Sequence, residues 1–376
     1  MKAQVGRPAP DAKISLLPKT SIILFMLSKI FEIPDVLHEY KLKDNNLFYL
    51  SKNGGVKKVN NSFELIWELK GENFYNMILL GNKVVVDNAG GVIKVIDDDG
   101  IGILSINDYG LASTNSIQNN LLFYRANSTL LFSLEKNKQI WVSETRIQNI
   151  KQYVTDGSIF GCKYLTNSCV IKLNTLNGMQ NWQADLSSYG EVRKILGEAV
   201  QYLWVVLEKK IEIGFEWTLL ALDKDTGQQL FKFDNALDSL SLGIELLPDK
   251  NIIISINTDG DKRTYYTVID ALKGMVVLRF EISTLKEAGF WEGKAFTIYN
   301  NRIYFITKEL STSFYCGVGI FNINTSKLEW VEKVNLKKGF LKEAPQTDGK
   351  RVYVLDSTGI LHIYEIKKTS LAFVGM

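Results

Sequence analysis

The side chains most often used in catalysis and metal binding are few in this sequence and widely spaced. The chain of 376 residues has two histidines, His38 and His362, and three cysteines, Cys162, Cys169 and Cys316. Neither histidine has a second His or Cys at zinc-ligand spacing, and no Gly-x-Ser-x-Gly turn indicates a serine nucleophile. We expect His362 to be a packed or edge histidine and not a ligand, and the cysteines to be core residues, although Cys162 and Cys169 share a predicted hairpin in which a bridge is conceivable. These residues therefore predict no metal site and no catalytic site.

An acidic run and two glycine pairs are better explained as turns than as ligand sites. The run Asp97-Asp98-Asp99-Gly100 is not followed by the Glu that an EF-hand needs at its twelfth position. Gly54-Gly55 and Gly90-Gly91 lack the context of a phosphate-binding loop and fit hairpin turns. We expect no bound cofactor at any of these segments.

The composition is typical of strands joined by tight turns. Hydrophobic residues make up 46% of the chain and aromatic residues 11%, and there are only six prolines. The formal net charge is +3, and lysines are interleaved with acidic residues. Because no basic run is interleaved with aromatic residues, we expect no nucleic-acid partner.

The clearest signal is a repeated hairpin that joins a strand, an Asp or Asn, a Thr-Gly turn and a second strand ending in an aromatic residue. The Asp or Asn side chain can cap its own turn, and Gly tolerates the positive φ that the turn requires. The best copies are Leu219–Phe231 (LLALDKDTGQQLF), Val170–Trp182, Gly319–Trp330 and Thr267–Leu278; weaker copies end at Trp67, Leu104, Trp141 and Phe373.

A second landmark, a polar turn followed by an apolar strand, alternates eight times with this hairpin. Each unit is therefore predicted to hold four short antiparallel strands, A to D, and to form one blade of an eight-bladed β-propeller. Seven blades would result if one of the first two units is not real. We expect an N-terminal extension over residues 1–37, packed on a propeller over residues 38–376 whose last strand D is Ser370–Gly375. Trp141, Trp182 and Trp330 should be buried between blades.

The apolar segment Ser21–Phe31 leaves two interpretations open. It fits a strand or short helix that covers the propeller, and it also has some features of an atypical export signal. It is far shorter than the roughly 20 residues that a membrane-spanning helix needs. We expect no membrane span and a soluble, cytoplasmic, bacterial protein.

The LDxxTGxxxW hairpin resembles the PQQ-like repeat of the quinoprotein alcohol dehydrogenase-like propellers. The resemblance covers residues 38–376 and implies the propeller fold; that family also contains non-enzymatic scaffolds, and similar blades occur in WD40-like propellers. Its enzymes use a ligated calcium, a stacking Trp, a catalytic Asp and usually two adjacent cysteines, and no adjacent cysteines occur here. The resemblance therefore points to the non-enzymatic branch, without a quinone cofactor.

The spacing between landmarks predicts one elaborated face. From the start of strand B to the final aromatic position, blades one to three span 20 residues each, whereas blades five to seven span 28, 26 and 27. We expect the extra residues in the B–C loops, which emerge on the same face as the D–A connections. Loops on a rigid scaffold often carry binding function. The partner-binding candidates near these loops are Phe215, Trp217, Arg263, Tyr265, Trp291, Phe314 and Tyr315.

Two functions follow from this pattern. The first is a non-catalytic scaffold that binds a protein partner through the elaborated face, as an immunity protein or an assembly factor would. The alternative is a propeller enzyme that acts on a sugar or other small molecule with carboxylates at the central channel. Asp156, Glu191 and Glu245 lie near predicted A strands and are its candidates. The sequence leaves the oligomeric state open.

Overall fold

The chain forms a ring of eight four-stranded sheets, as predicted. The structure is a computed structural model that describes residues 22–107, 109–111, 120–125, 127–234, 243–312 and 314–371. Within each sheet every strand pairs antiparallel with its neighbour, and consecutive strands of the chain lie side by side in seven of the eight sheets. This is the arrangement of an eight-bladed β-propeller.

The first strand of the chain, β1 (Ile22–Ile33), belongs to the last blade. Blades one and two are built from β2 (Val36–Lys43), β3 (Asn46–Ser51), β4 (Val56–Val59) and β5 (Leu65–Leu69), then β6 (Phe74–Leu80), β7 (Lys83–Asn88), β8 (Ile93–Ile96) and β9 (Gly102–Ile106). Blades three and four are built from β10 (Gly110–Leu111), β11 (Asn120–Arg125), β12 (Ser128–Ser133) and β13 (Lys138–Ser143), then β14 (Ile147–Val154), β15 (Ser158–Lys163), β16 (Cys169–Asn174) and β17 (Gln180–Asp185).

Blades five and six are built from β18 (Glu191–Ala199), β19 (Tyr202–Lys210), β20 (Phe215–Asp223) and β21 (Gln229–Asp234), then β22 (Ile244–Leu247), β23 (Ile252–Thr258), β24 (Thr264–Asp270) and β25 (Met275–Glu281). Blade seven is built from β26 (Phe290–Tyr299), β27 (Arg302–Glu309), β28 (Tyr315–Asn322) and β29 (Lys327–Lys333), and blade eight from β30 (Gln346–Thr347), β31 (Arg351–Leu355), β32 (Leu361–Leu371) and β1.

The helices in the described residues are short and lie in connections. They are the 3₁₀ turns Ser187–Tyr189 and Pro248–Lys250 and the helix α1 (Ser283–Glu287). In this part of the chain no helix has the length and apolar character required to cross a membrane.

The ring is closed by the N-terminal strand, and the prediction of strand D at Ser370–Gly375 is wrong. Ser370 belongs to β32, the C strand of blade eight, where it pairs with Ile23 of β1. Because β1 already pairs with the outer side of β32, no position is left for a strand D from the C-terminus. Phe373, the predicted final aromatic residue, lies outside the described residues. The division of the chain at residue 37 remains a prediction.

Most blades dock on the next through an aromatic residue of strand D. The indole N–H of Trp182 donates to the carbonyl of Lys224 at 3.0 Å, in the C–D turn of blade five. In the same turn, a Cβ on Gly227 would come within 2.7 Å of the indole ring. Equivalent pairs are Trp67 with Gly100, Trp141 with Gly178 and Phe231 with Gly274.

The burial predicted for Trp141, Trp182 and Trp330 is confirmed at two of the three positions. Trp141 and Trp182 are buried, whereas Trp330 is only half-buried. The reason lies in blade eight, whose C and D strands come from opposite ends of the chain. Blade eight therefore has no C–D turn to cover Trp330 as the turns cover Trp141 and Trp182.

Where blade eight meets blade one, two stacked aromatic rings take the place of the contact between a ring and a glycine seen at other junctions. Phe31 of β1 occupies the docking position, and its ring stacks on Phe63 of blade one, with centroids 4.7 Å apart and planes at 11°. Phe63 has a φ of 65°, the left-handed region that bulky residues rarely adopt. The junction between the first and last blades is thus built differently from the others.

The hydrophobic core consists of eight apolar clusters in the described residues, each between two neighbouring blades. The three cysteines are buried and unbridged, as expected. Cys162 packs toward blade five and Cys169 toward blade three, because they lie on opposite faces of the blade-four sheet. The core is therefore a set of interfaces shared around the ring.

Candidate functional site

The extra residues of blades five to seven lengthen the B and C strands instead of the B–C loops. In blade five, β19 and β20 have nine residues each and remain paired as far as Lys210 and Phe215. The loop between them, residues 211–214, is as short as the loop at residues 52–55 of blade one. The prediction of long B–C loops is therefore wrong. The added residues extend the paired strands into protruding hairpins, because pairing satisfies their backbone hydrogen bonds.

The D–A connections after blades six and seven are longer than those of the compact blades. Residues 282–289 contain α1 and residues 334–345 precede blade eight, compared with residues 70–73 after blade one. Leu285 of α1 is buried and anchors its connection against the sheet. Hairpins and connections lengthen on the same face, as the spacing predicted. We call this face, over blades five to seven, the raised face.

The hairpin ends of the raised face carry exposed apolar side chains. Phe215 is 53% exposed, Phe314 is 62% exposed and Ile213 is 92% exposed. Trp217, two residues along β20 from Phe215, is half-buried against the core between blades five and six. Of these positions, the hairpin ends are accessible to a partner, whereas Trp217 mainly packs within the scaffold.

In blade six, Arg263 and Tyr265 are held in one polar network. The Arg263 guanidinium donates to Asp259 at 2.7 Å and to Asp261 at 3.0 Å, and the Tyr265 hydroxyl donates to Asp259 at 3.3 Å. The Arg279 guanidinium lies 4.6 Å from the centre of the Tyr265 ring. Burial opposes ionisation of the Asp259 carboxyl, but hydrogen bonds from Arg263 outweigh it and lower the pKa of Asp259.

In blade seven, Trp291, Lys308 and Tyr315 form one cross-strand row. Lys308 pairs with Trp291 of β26 on one side and with Tyr315 of β28 on the other. Directly paired residues project from the same face of a sheet, so the three side chains stand side by side. Glu292 holds this row together. Its carboxylate forms an ion pair with Lys308 at 2.5 Å and accepts a hydrogen bond from the Tyr315 hydroxyl. Burial, followed by the Glu292 contact, raises the pKa of Tyr315.

Two further lysines extend this row. The Lys262 ammonium lies 4.9 Å from the Trp291 ring centre, and the Lys294 ammonium lies 5.0 Å from the Tyr315 ring centre. Lys308 lies 4.8 Å from both rings. The Trp291 indole N–H is buried and has no acceptor among the described residues.

The structure thus brings together four of the seven sequence candidates in two pairs. Arg263 lies with Tyr265 in blade six, and Trp291 with Tyr315 in blade seven. Sequence reasoning missed the three lysines and Glu292. Strand pairing between β26 and β27 joins Glu292, Lys294 and Lys308, and the packing of blade six on blade seven adds Lys262. The sequence offered little local signal, since none of the three lysines is next to an aromatic residue in the chain.

The three channel carboxylates predicted for an enzyme do not converge. Glu191 begins strand A of blade five, whereas Asp156 lies in an A–B turn of blade four, at the opposite end of the strands. Glu245 forms an ion pair with Lys194 of the neighbouring A strand. The arrangement therefore gives no paired carboxylates at these positions.

A different carboxylate near the channel is electrostatically perturbed. Burial raises the pKa of Glu343, and the neighbouring Glu39 carboxylate adds to that rise while Lys342 opposes it. Glu39 itself accepts the amide N–H of Met77 at 2.8 Å and lies 3.1 Å from the Lys41 ammonium. Two carboxylates with different surroundings are the usual composition of an acid–base pair.

His362 is packed, as expected, between two carboxylates. Its Nε2 lies 2.9 Å from Asp356 and its Nδ1 lies 3.1 Å from Glu32 of the closing strand. Among the residues that the structure describes, no three His, Cys, Asp or Glu side chains converge as metal ligands would. On the face opposite the raised face, a cleft of about 290 Å³ lies between blades eight and one, bordered by Phe63 and Arg351.

No protein-family model matches the sequence, and no curated protein resembles it closely enough to be a recognisable relative. Solved structures match it at the level of fold. BamB from Moraxella catarrhalis is 14% identical, with a TM-score of 0.57 over 92% of this chain and 100% of that chain. The C-terminal WD40 domain of Sif2 is 12% identical, with a TM-score of 0.64 over 92% of this chain and 99% of that chain.

A quinohaemoprotein alcohol dehydrogenase, ADH IIG from Pseudomonas putida HK5, is also similar. It is 11% identical, with a TM-score of 0.55 over 98% of this chain and 79% of that chain. These matches support the β-propeller fold. At such low identity a shared fold does not carry function with it.

Proposed function

We propose that this propeller is a non-catalytic scaffold that binds a protein partner through its raised face. The proposal includes a bacterial cytoplasmic location and a role of the kind that an immunity protein or an assembly factor has. It assigns direct contact to the exposed residues of the face and a supporting role to Trp217.

The observation that carries the proposal is the exposure of apolar side chains at the ends of hairpins that extend beyond the ring. Phe215 and Phe314 are more than half exposed on two different blades. Exposed large apolar groups cost solubility and commonly mark protein contacts. Blades one to three close the same ring with shorter B and C strands, so stability alone does not require the extension.

Affinity capture from a lysate of the native organism tests this proposal. The variant Phe215→Ser with Phe314→Ser should lose a stoichiometric partner that the wild-type chain retains, because it removes both apolar hairpin ends. The matched control is Met275→Ser with Val277→Ser, which changes side chains that are 51% and 56% exposed on strand D of blade six. The absence of any stoichiometric partner, or equal loss from both variants, would count against the proposal.

A second candidate function rests on Glu343 and Glu39 near the channel. A half-buried carboxyl with a raised pKa can act as a general acid beside a second carboxylate, which is the chemistry of sugar hydrolysis. Incubation with a panel of glycosides tests it. Turnover by the wild-type chain that is lost in Glu343→Gln would support an enzyme, and no turnover on any glycoside would argue against this candidate.

A further inference from the structure

We infer that the raised face binds an acidic segment of its partner, through a row in which cations and aromatic rings alternate. The row runs Lys262, Trp291, Lys308, Tyr315, Lys294, and each ammonium lies 4.8 to 5.0 Å from the neighbouring ring centre. This inference rests on the proposed function and adds the chemistry of the partner. We call these five residues the cationic row.

The positive charge of the row is concentrated at its two ends. Lys308, in the middle, is neutralised by Glu292. Neither Lys262 nor Lys294 forms an ion pair with a carboxylate among the described residues, and the contacts of both ammonium groups are with ring faces. A ring face holds an ammonium without cancelling its charge. The two ends can therefore still bind anions.

The row is held in place before any partner binds. Lys262 has a φ of 60° in a tight turn, where its amide donates to the Asp259 carbonyl at 3.2 Å. Trp291, Lys308 and Tyr315 are fixed by pairing across three strands. A preorganised site loses less conformational entropy when it binds, which favours recognition over incidental attraction.

The surroundings of the row favour a peptide over a nucleic acid. The faces of Trp291 and Tyr315 already carry ammonium groups, so they are not open for base stacking. Asp261 and Glu292 are both held in ion pairs, so the uncompensated positive charge lies at the two ends of the row and not along its length, which suits short acidic groups better than a continuous phosphate backbone. Phe314 is exposed and immediately precedes Tyr315. An acidic segment that also carries an apolar side chain fits this combination of charge and exposed ring.

A labelled peptide of alternating Glu and Leu residues is the probe, and fluorescence anisotropy measures its binding to the full chain. The variant Lys262→Glu with Lys294→Glu should bind at least about tenfold more weakly, because two attractive charges become repulsive. Raising the salt concentration should weaken the wild-type complex. The same peptide with Gln in place of Glu should bind the wild-type chain weakly and the variant equally.

The matched control is Lys138→Glu with Lys327→Glu, which makes the same change in net charge on exposed lysines beside the C–D turns of blades three and seven. Equal weakening by both variants would show nonspecific charge attraction and overturn the inference. Tighter binding of an oligothymidylate of equal net charge would also overturn it, in favour of a nucleic-acid site.

The captured partner separates failure of this inference from failure of the proposed function. If capture depends on Phe215 and Phe314 but is unchanged in Lys262→Glu with Lys294→Glu, the scaffold function stands and the acidic chemistry is wrong. If the peptide binds as expected but no partner is captured, the cationic row is a real anion site and the scaffold function fails.

Discussion

At the scale of residues, contact between neighbouring blades depends on glycines that leave room for a ring. Gly227 has a φ of 75° and lies against Trp182, where a Cβ would come within 2.7 Å of the indole. Gly214 also has a positive φ, 92°, but faces open space. Both positions require a residue that tolerates a positive φ, but only Gly227 lies against a neighbouring ring.

Gly227→Ala should therefore destabilise the propeller more than Gly214→Ala does. Both variants strain the backbone, but only the first forces a methyl group into Trp182, and overpacking of this kind costs about 1–3 kcal/mol. Urea denaturation of the two variants measures the difference in the free energy of unfolding. Equal losses would mean that the ring does not press on the turn.

A buried carboxyl in blade eight should make stability depend on pH. Asp356 accepts hydrogen bonds from Thr358 and Ile360 and lies 2.9 Å from His362. Burial alone would raise the pKa of this carboxyl, but hydrogen bonds from Ile360, Thr358 and His362 outweigh it and hold the pKa below its usual range. The folded chain therefore favours the ionised form.

The sign of the effect follows from that lowered pKa. Stability from Asp356 is present above the unfolded pKa, about 3.9, and is lost as the pH falls through the folded value. Asp356→Asn should be less stable than the wild-type chain near neutral pH, and the gap should narrow below about pH 4. Denaturation midpoints across this range measure the gap, and a gap that is constant with pH would contradict the assignment.

At the scale of elements, the ring is joined by the pairing of its two ends. The strand β1 pairs with β32 along eleven register positions, from Ile22 with Leu371 to Ile33 with Leu361. Phe31 stacks on Phe63, and Glu32 lies against His362. One strand thus completes the sheet of blade eight and part of the core between blades eight and one.

Deletion of residues 1–33 should lower the melting temperature and expose the edge of β32. A synthetic peptide with the sequence of β1 should restore part of the loss, because it can pair with that edge. Calorimetry with the peptide and with a scrambled version tests this. Unchanged melting after the deletion would show that β1 contributes little to the ring.

Much of the element pattern was predictable because each blade repeats its own signals. Hairpin motifs such as Leu219–Phe231 predicted the C and D strands of most blades. The closing strand was missed because Phe31 and His362 are far apart in the sequence, and no local signal links them. The cationic row was missed for a similar reason: Lys262 and Lys308 meet only after blades six and seven pack.

At the scale of the whole molecule, the additions to the basic blade lie on one face. Random drift is the rival explanation, since longer surface segments cost little entropy. Drift should also lengthen the turns on the opposite face, yet the A–B turn between β18 and β19 and the C–D turn between β28 and β29 remain short. The one-sided pattern therefore favours a working surface.

Shortening the blade-seven hairpin within residues 308–316 should abolish partner binding with little change in melting temperature. Tyr315 packs against the core between blades seven and eight and Cys316 is buried, so both are kept and the deletion is confined to the hairpin end before them. Removing one residue from the C–D turn at residues 323–326 is the control and should leave binding intact. Retention of the partner by the first variant, or its loss only from the second, would exclude the raised face as the working surface.

The closing strand also sets an order of events during synthesis. Glu32 leaves the ribosome 330 residues before His362, its partner in the finished ring. At usual rates of translation that separation lasts roughly 15–70 s. For that time the sequence IILFMLSKIFEI has no strand to pair with, so it is the segment a chaperone would have most reason to hold. Lys29 and Glu32 interrupt its apolar run, as charged residues do where a strand must stay unpaired without aggregating.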